Sequence, residues 1–470
     1  MRDRTFIEEA VNQAREENPR SPGAIFDFVR DVLLLRNLQD FREEDRPWVR
    51  NWVMKFQQLT GPVIAKALED TVFYIYNRLV SLNEVGGHPE QFGLAPADFH
   101  RVTLERARDW PHSMLTTSTH DTKRSEDVRA RLNVLSEIPQ EWADALGRWS
   151  ALNADKRSTV DRRPAPDPND EYLLYQTLLG TWPAGGLTPA TMPAYRERIV
   201  RYMQKAIKEA KVRTSWINPN EAYDLAVTRF VEALLPDHLN EPFLAEFLPL
   251  QRKVSWFGCF NSLAQVVLKA TMPGVPDFYQ GTELWDFSLV DPDNRRAVDF
   301  KLRRKLLDGL LGKIEASKGD LKPLIHELLA HPEDDRLKLF VTERVLGLRR
   351  RYEAFFRSAS YMPLEAGEHA LGFARLLGSE AVLVVVPRLL AKMLAGQQRL
   401  PLGEEVWQDR VLEVPEDLAG QQFRNLFSGE RLMLMPRLPL ARVFAAFPVA
   451  VLEPMVEEPP ASMVVQQPWT

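Results

Sequence analysis

A histidine and an aspartate stand side by side in TTSTHDTKRSEDVRARL, residues 116–132, after a run of small hydroxyl residues and before a dense mixture of both charge signs. His120 and Asp121 together can hydrogen-bond neighbouring hydroxyls of a sugar. An ionised Asp121 can also oppose positive charge that develops at an anomeric carbon. The same two residues could equally belong to a solvated loop. Lys123, Arg124, Glu126 and Asp127 read, on chemistry alone, as a local set of ion pairs rather than as catalytic groups. Residues 291–296, DPDNRR, alternate Asp, Asp and Asn but lack the glycine and terminal glutamate of an EF-hand loop, so they read as a turn with ion pairs. His112, His326 and His331 have no metal-ligand spacing. There is no glycine-rich phosphate loop and no nucleophile elbow. The expectation is therefore no metal and no cofactor. Trp216 could stack on a sugar ring or anchor a core, and the single cysteine, Cys259, reads as a buried small hydrophobe.

The elements around the His-Asp pair give it a setting. MLTTST reads as a short strand. Ser125 suits an N-cap, and Glu126 and Asp127 suit a first helical turn, which favours negative charge. Val128, Leu132 and Leu135 then fall on one helix face. His120 to Arg124 thus occupy a strand-to-helix loop, and in a parallel barrel such loops gather on the face where active sites are built. VVLKATMPGVPDFYQGTELWDF reads as a second strand-then-loop segment. Residues 1 to about 85 and about 137 to 265 read as helical, broken at NEVGGHPEQFGLAPADF, at the charged, proline-bearing loop DKRSTVDRRPAPDPND and at GTWPAGGLTP. HALGFARLL, AVLVVVPRL, VWQDRVLEV, QFRNLFSGE and ARVFAAFPVAVL are short bounded apolar runs of the kind antiparallel strands make.

Composition sets outer limits. With 470 residues, 45% of them apolar, the chain can bury a large core, and a net charge of -5 leaves no basic excess for nucleic acid. One cysteine excludes an internal disulfide and fits a reducing compartment. The first twenty residues are charged and amphipathic, without the apolar core of a secretory signal. Pro387 and Arg388 interrupt the most apolar run, so it does not read as a membrane span. A cytoplasmic protein that binds neither nucleic acid nor membrane is expected.

STHDTKRSEDVRARLNVLSE resembles the segment after the seventh barrel strand of maltooligosyl trehalose synthases, a branch of the α-amylase superfamily. GPVIAKALEDTVFYIYNRLVSLNEVGG is similar to another stretch of that family, with Ala67 where a glycine is usual. EAKVRTSWINPNEAY and TMPGVPDFYQGTELWDFSLVDPDNRRAVDF also resemble it, the latter at the eighth strand. The likeness implies conversion of the reducing-end α-1,4 linkage of a maltodextrin to an α,α-1,1 linkage, by retaining intramolecular transglucosylation. By resemblance, Asp121 matches the third carboxylate of the superfamily site and His120 its sugar-binding neighbour. Lys123, Arg124, Lys66, Glu69, Trp216 and Tyr279 are candidate substrate contacts, with Lys66 and Glu69 paired to hold the reducing-end glucose. Asn77, Arg78 and Asn83 are further possible donors to sugar hydroxyls, and Glu283 and Asp286 read as groups that fix their loop.

A retaining mechanism also needs a nucleophile and a general acid, in motifs like R-x-D-H and E-K-I-L, and neither motif occurs. The chain therefore reads as the carboxyl-terminal half of such an enzyme, catalytically incomplete alone. Its expected partners are a maltodextrin and the amino-terminal half, as a separate chain or a missing segment. The fold expected is α/β plus all-β: late strands of an incomplete (β/α)8 barrel with large helical insertions, then an antiparallel β domain. The implied divisions are a helical insertion segment at 1–110, strand seven and its helix at 111–136, a helical insertion domain at 137–265, the strand-eight segment and following helices at 266–361, the β domain at 362–455 and a tail at 456–470. Alternatives are another α-amylase-superfamily hydrolase or glucanotransferase, or a non-catalytic maltodextrin-binding module.

Overall fold

A computed structural model describes residues 2–238 and 240–455, so the expected tail lies outside the described residues. The chain forms two compact units, Met1–Val72 and Phe73–Thr470. Among the described residues no helix is long and apolar enough to cross a membrane.

The first unit holds helices α1 (Arg2–Glu17), α2 (Gly23–Leu33) and α3 (Arg46–Ile64). Its core is small: Val32, Val49 and Val53, with Leu38 and Phe41 packed against them. The apolar run LLLRNL does not continue α2, because Leu35 takes a left-handed conformation (φ 51°) and closes the helix. The helical reading through residue 85 also fails. Gly61 and Pro62 sit near the end of α3, and the chain passes into a π-helical turn, Ala65–Glu69, after which only two short 3-10 turns, Val72–Tyr74 and Val80–Leu82, precede residue 85. Trp48, Met54, Leu59 and Ile64 of α3 remain exposed.

The second unit is mostly helical. It contains α4 (Pro96–Asp109), β1 (Met114–Leu115), α5 (Glu126–Asn133), α6 (Pro139–Leu152), β2 (Ser158–Val160), β3 (Arg163–Ala165), α7 (Pro168–Thr181), α8 (Met192–Ala210), α9 (Glu221–Leu234), α10 (Pro242–Thr271) and β4 (Val275–Pro276). Then come α11 (Phe300–Ala316), α12 (Lys322–Ala330), α13 (Asp335–Arg351) and α14 (Glu353–Ser358). Local chemistry starts several of these helices. Asp167 caps α7 by accepting from the amides of Asn169 and Asp170, with Pro168 at the first helical position. Asn220, Asp299 and Asp334 cap α9, α11 and α13 in the same way.

Helix α10 is the spine. Gly258 lets it approach α5 closely: a Cβ there would lie 2.6 Å from Arg131 Cγ and 2.7 Å from Arg131 Cα. An aromatic cluster of Trp142, Trp149, Tyr175, Phe243 and Phe247 joins α6, α7 and α10, with ring centroids 5.4–5.8 Å apart. The segment expected as a charged loop folds instead as the β2–β3 hairpin. Asp161 and Arg162 both take positive φ (52° and 63°), the geometry a two-residue hairpin turn requires.

The carboxyl-terminal strands are β5 (Ser360–Leu364), β6 (Ala370–Leu377), β7 (Glu380–Pro387), β8 (Val411–Glu413), β9 (Gln422–Asn425), β10 (Arg431–Met433), β11 (Arg437–Pro439) and β12 (Ala450–Pro454). Six form an antiparallel sheet in the order β10-β9-β12-β7-β6-β5, and β8 pairs with β11 apart from it. The unbroken apolar run of β7 has a simple cause. Ala381, Leu383 and Val385 enter one core cluster while Val382, Val384 and Val386 enter the other, so both faces of the strand are covered. Strands β1 and β4 pair only with each other, in parallel, and no closed barrel forms among the described residues.

Candidate functional site

Strands β1 and β4 run side by side in the same direction, Met114 opposite Val275 and Leu115 opposite Pro276. The loops that leave them, Thr116–Ser125 and Asp277–Asp299, are therefore neighbours. Several bonds lace the two together. The Ser125 amide donates to Ser288 O at 3.0 Å, and Arg124 bridges to Leu289. The Asn294 side-chain amide donates to the carbonyls of His120 (3.0 Å), Thr119 and Thr122 (both 3.4 Å). Ser125 does precede α5, yet its hydroxyl is spent on Asp286 O rather than on its own helix.

The hydroxyl run has a structural task. Thr122 Oγ1 accepts from the Thr119 amide at 2.6 Å, and Thr119 Oγ1 accepts from the Asp121 amide at 3.2 Å, which folds the loop back on itself. A third segment holds the loop from the side. Glu84 accepts from the amides of Lys123 (Oε1, 2.8 Å) and Arg124 (Oε2, 3.2 Å), with Arg129 Nε 3.6 Å from its carboxylate.

Beneath the loop lies a buried set of charges. Glu126 and Asp127, expected to pair locally, bond instead to lysines far along the chain. Lys338 Nζ on α13 lies 2.7 Å from Glu126 Oε1 and 2.7 Å from Asp127 Oδ2, and Lys269 Nζ on α10 lies 3.5 Å from Glu126 Oε2. These side chains are at most 3% exposed. Burial alone would raise both carboxyls. The ammoniums of Lys338 and Lys269 override it for Glu126 and hold that group down to about 2. Asp127 stays above the ordinary carboxyl range, because burial and the neighbouring Glu126 charge outweigh Lys338. Thr117 Oγ1 receives a bond from Lys269 at 2.8 Å and donates to Glu126, while Asp127 Oδ2 accepts from the Asp286 amide at 2.8 Å. One cluster thus ties down both loops.

His120 and Asp121 stand above this scaffold. His120 Nε2 is 3.2 Å from Asp121 Oδ2, and Arg295 Nη2 is 3.5 Å from Asp121 Oδ1. Both side chains are more than 60% exposed. Tyr279, at the start of the neighbouring loop, donates to Asn294 O at 3.1 Å and so joins the same network. Lys123 is buried, and Arg124 is 1% exposed with its guanidinium donating to Tyr202 Oη at 2.8 Å. Trp216 lies on the surface, 58% exposed, with Lys208 Nζ 5.0 Å from the ring centre, so the core-anchor reading does not hold. Asn77 and Asn83 are buried and donate to backbone carbonyls of their own segment, not outward as sugar donors would. Lys66 and Glu69 belong to the π-helical turn of the first unit, where Lys66 pairs with Asp70 at 2.5 Å. The DPDNRR turn carries the expected ion pairs, Asp293 with Arg198 at 2.8 Å and Asp291 with Arg295 at 3.3 Å. Sequence reasoning missed Glu84, Lys269 and Lys338, whose partners lie 39 to 212 positions away with no local signal.

A separate cavity of about 370 Å³ lies between α5 and α10, lined by Arg131, Trp256, Cys259, Trp285 and Phe287 among others. It does not include the His-Asp pair. Among the described residues no cluster of three or more His, Cys, Asp or Glu could hold a metal ion.

No family model matches the chain. A curated relative in two strains of Mycobacterium tuberculosis, named for maltooligosyl trehalose synthase, is 38% identical over 403 residues, covering 85% of this chain and 45% of the relative. The maltooligosyltrehalose synthase of Arthrobacter ramosus superposes with a TM-score of 0.74 at 33% identity, over 96% of this chain and 51% of that one. Another solved maltooligosyl trehalose synthase gives 0.69 at 29% identity, over 95% and 55%. The chain spans about half the length of the relatives it matches. By sequence and by fold it is a homologue of the maltooligosyl trehalose synthases that corresponds to about half of their chains.

Proposed function

We propose that the chain supplies one wall of a maltooligosyl trehalose synthase site, with Asp121 gripping the distorted glucose ring and His120 binding its hydroxyls. In the assembled enzyme the reducing-end α-1,4 linkage of a maltodextrin becomes an α,α-1,1 linkage with retention. The nucleophile and the general acid come from the part of the relatives' length that this chain does not match, whether on another chain or on a further segment. The observation that carries this reading is the pairing of homology over about half of the relatives' length with an open His-Asp pair where two parallel strands end. On this view β1 and β4 are strands seven and eight of an incomplete (β/α)8 barrel. The divisions at 110, 136, 265 and 361 separate helical insertions, barrel strands and β domain. The exposed apolar residues of α3 support a further covering segment. Tyr279 and the exposed Trp216 remain candidate sugar contacts, as do Lys66 and Glu69. Lys123 and Arg124 serve the site through the loop that they anchor. The single cysteine agrees with a cytoplasmic setting.

The test is incubation with maltopentaose, with and without the complementing half, followed by loss of reducing ends. The chain alone is expected to give no loss, and the pair a loss that Asp121→Asn abolishes. Turnover by the chain alone sinks the division of labour. New reducing ends from the pair would mean a hydrolase instead, and saturable binding by the pair without turnover a maltodextrin-binding module.

A further inference from the structure

The side chains of His120 and Asp121 have few restraints of their own: one contact to each other and one 3.5 Å approach from Arg295. Their position must therefore come from the backbone that bears them. That backbone is gripped along both edges. On one edge the Asn294 amide donates to three carbonyls, those of Thr119, His120 and Thr122. On the other edge the Glu84 carboxylate accepts the two amides that follow the pair almost directly, Lys123 and Arg124. A carboxylate offers two acceptor oxygens in a fixed plane, so a single side chain can hold two successive N–H groups.

Glu84 itself has little freedom. Its side chain is 14% exposed, and Arg129 balances its charge at 3.6 Å. Asn83, next to it, is fully buried and donates to the carbonyls of Phe73 and Tyr76. On the other side the chain turns so tightly that the Gly87 amide bonds to Glu84 O at 2.7 Å, and a Cβ on Gly87 would meet that oxygen at 2.8 Å. The clamp is thus rigid at its base and charge-assisted at its tip.

We infer that Glu84 is a positioning residue, which sets the angle at which His120 and Asp121 are presented to a sugar. This rests on the proposed role of Asp121. A positioning error of about 1 Å can cost 10²-fold in rate, so a loosened clamp is expected to show in substrate handling well before it shows in stability. Two readouts on the full chain separate the possibilities: backbone hydrogen exchange of Lys123 and Arg124, and affinity for maltopentaose by titration. Glu84→Ala is expected to speed exchange at both amides at least tenfold, to leave the amides of α10 unchanged, and to weaken maltopentaose about tenfold. Glu84→Gln keeps one acceptor oxygen and is expected to fall between. Unchanged exchange in Glu84→Ala overturns the inference. So does faster exchange with unchanged affinity, provided that Asp121→Asn lowers affinity, because Glu84 is then structural only. If Asp121→Asn and the wild-type chain do not differ in maltopentaose affinity, the reading of Asp121 fails and the inference falls with it.

Discussion

Lys338→Met is the most severe perturbation the site offers. Lys338 is fully buried and serves Glu126 and Asp127 at once, each at 2.7 Å, with the carbonyl of Leu284 at 3.3 Å as a third partner. Methionine fills a similar volume but leaves two buried carboxylates facing Lys269 alone, which lies 3.5 Å from Glu126. Breaking a buried pair by removing one partner costs about 3–5 kcal/mol. The protonation behaviour points the same way. Glu126 is held at about 2, well below an ordinary carboxyl, because the Lys338 and Lys269 ammoniums outweigh burial, so the native state prefers its ionised form. In the wild type that contribution is present above pH 4.5 and is lost as pH falls toward 2. In the variant the sign reverses, because carboxyls buried without their lysine titrate above their unfolded values. Their protonated forms fit the native state, and stability is lost as pH rises. The assay is urea unfolding followed by tryptophan fluorescence at pH 7.5 and pH 5. The expected deficit at pH 7.5 is about 3–5 kcal/mol, and it should narrow at pH 5. A deficit below about 1 kcal/mol, or one that widens at pH 5, would refute the argument that these four charges hold the loops down.

Gly258→Ala places a methyl group within 2.7 Å of Arg131 Cα, so overpacking should cost about 1–3 kcal/mol and lower the midpoint of thermal unfolding; an unchanged midpoint would show that α5 and α10 can separate freely. Asp170, pushed up to about 7 by burial and by neighbouring Asp167, favours the native state when protonated and loses that contribution as pH rises from about 4 through 7. Asp170→Asn should therefore gain on the wild type across that range in urea midpoints, and a constant difference would count against it. Asp121→Asn should leave unfolding within about 0.5 kcal/mol of wild type, since the side chain is 61% exposed; a larger loss would mean that Asp121 is structural. Cys259 is partly exposed in the wall of the cavity beside Arg131, but burial pushes its thiol far up, so a thiol reagent should label it much more slowly in the native chain than after unfolding; equal rates would contradict that.

The sequence made local matters legible and left distant pairings hidden. Ser125 directly precedes α5, Val128 and Leu132 are buried on its inner face and Leu135 in the turn that follows it, because a 3.6-residue period acts within a few positions. The carboxyl-terminal apolar runs announce strands for the same reason. The β2–β3 hairpin was not legible, since Asp161–Arg162 lacks the glycine or asparagine that usually signals a turn with positive φ at both positions. Helix α2 stops at Leu33 in a leucine-rich run that propensity alone would continue. Glu126 and Asp127 look like ordinary surface charges in a first helical turn. Only the arrival of Lys338, more than 200 positions later, makes them interior groups.

The segment that opens at Thr116 shows how one charged run can serve two opposite ends. Its later half, Ser125 to Arg131, is mostly sealed: the acids meet lysines from two other helices, and the Arg131 guanidinium donates to the carbonyls of Gly180 and Trp182 and rests 3.5 Å from the centre of the Phe287 ring. Its earlier half has its backbone held at several points, with the two tips, His120 and Asp121, open. Buried ion pairs add little net stability over apolar packing of the same volume, but they fix direction, because each acid accepts only from a donor in the correct place. A purely apolar base beneath the loop could pack as tightly and yet let it slide along β1. The directional bonds from Lys269 to Thr117, from the Asp286 amide to Asp127 and from the Lys123 and Arg124 amides to Glu84 remove that freedom at several points at once. The loop is thus rigid where it is covered and available where it is not, the combination that the proposed role of Asp121 requires.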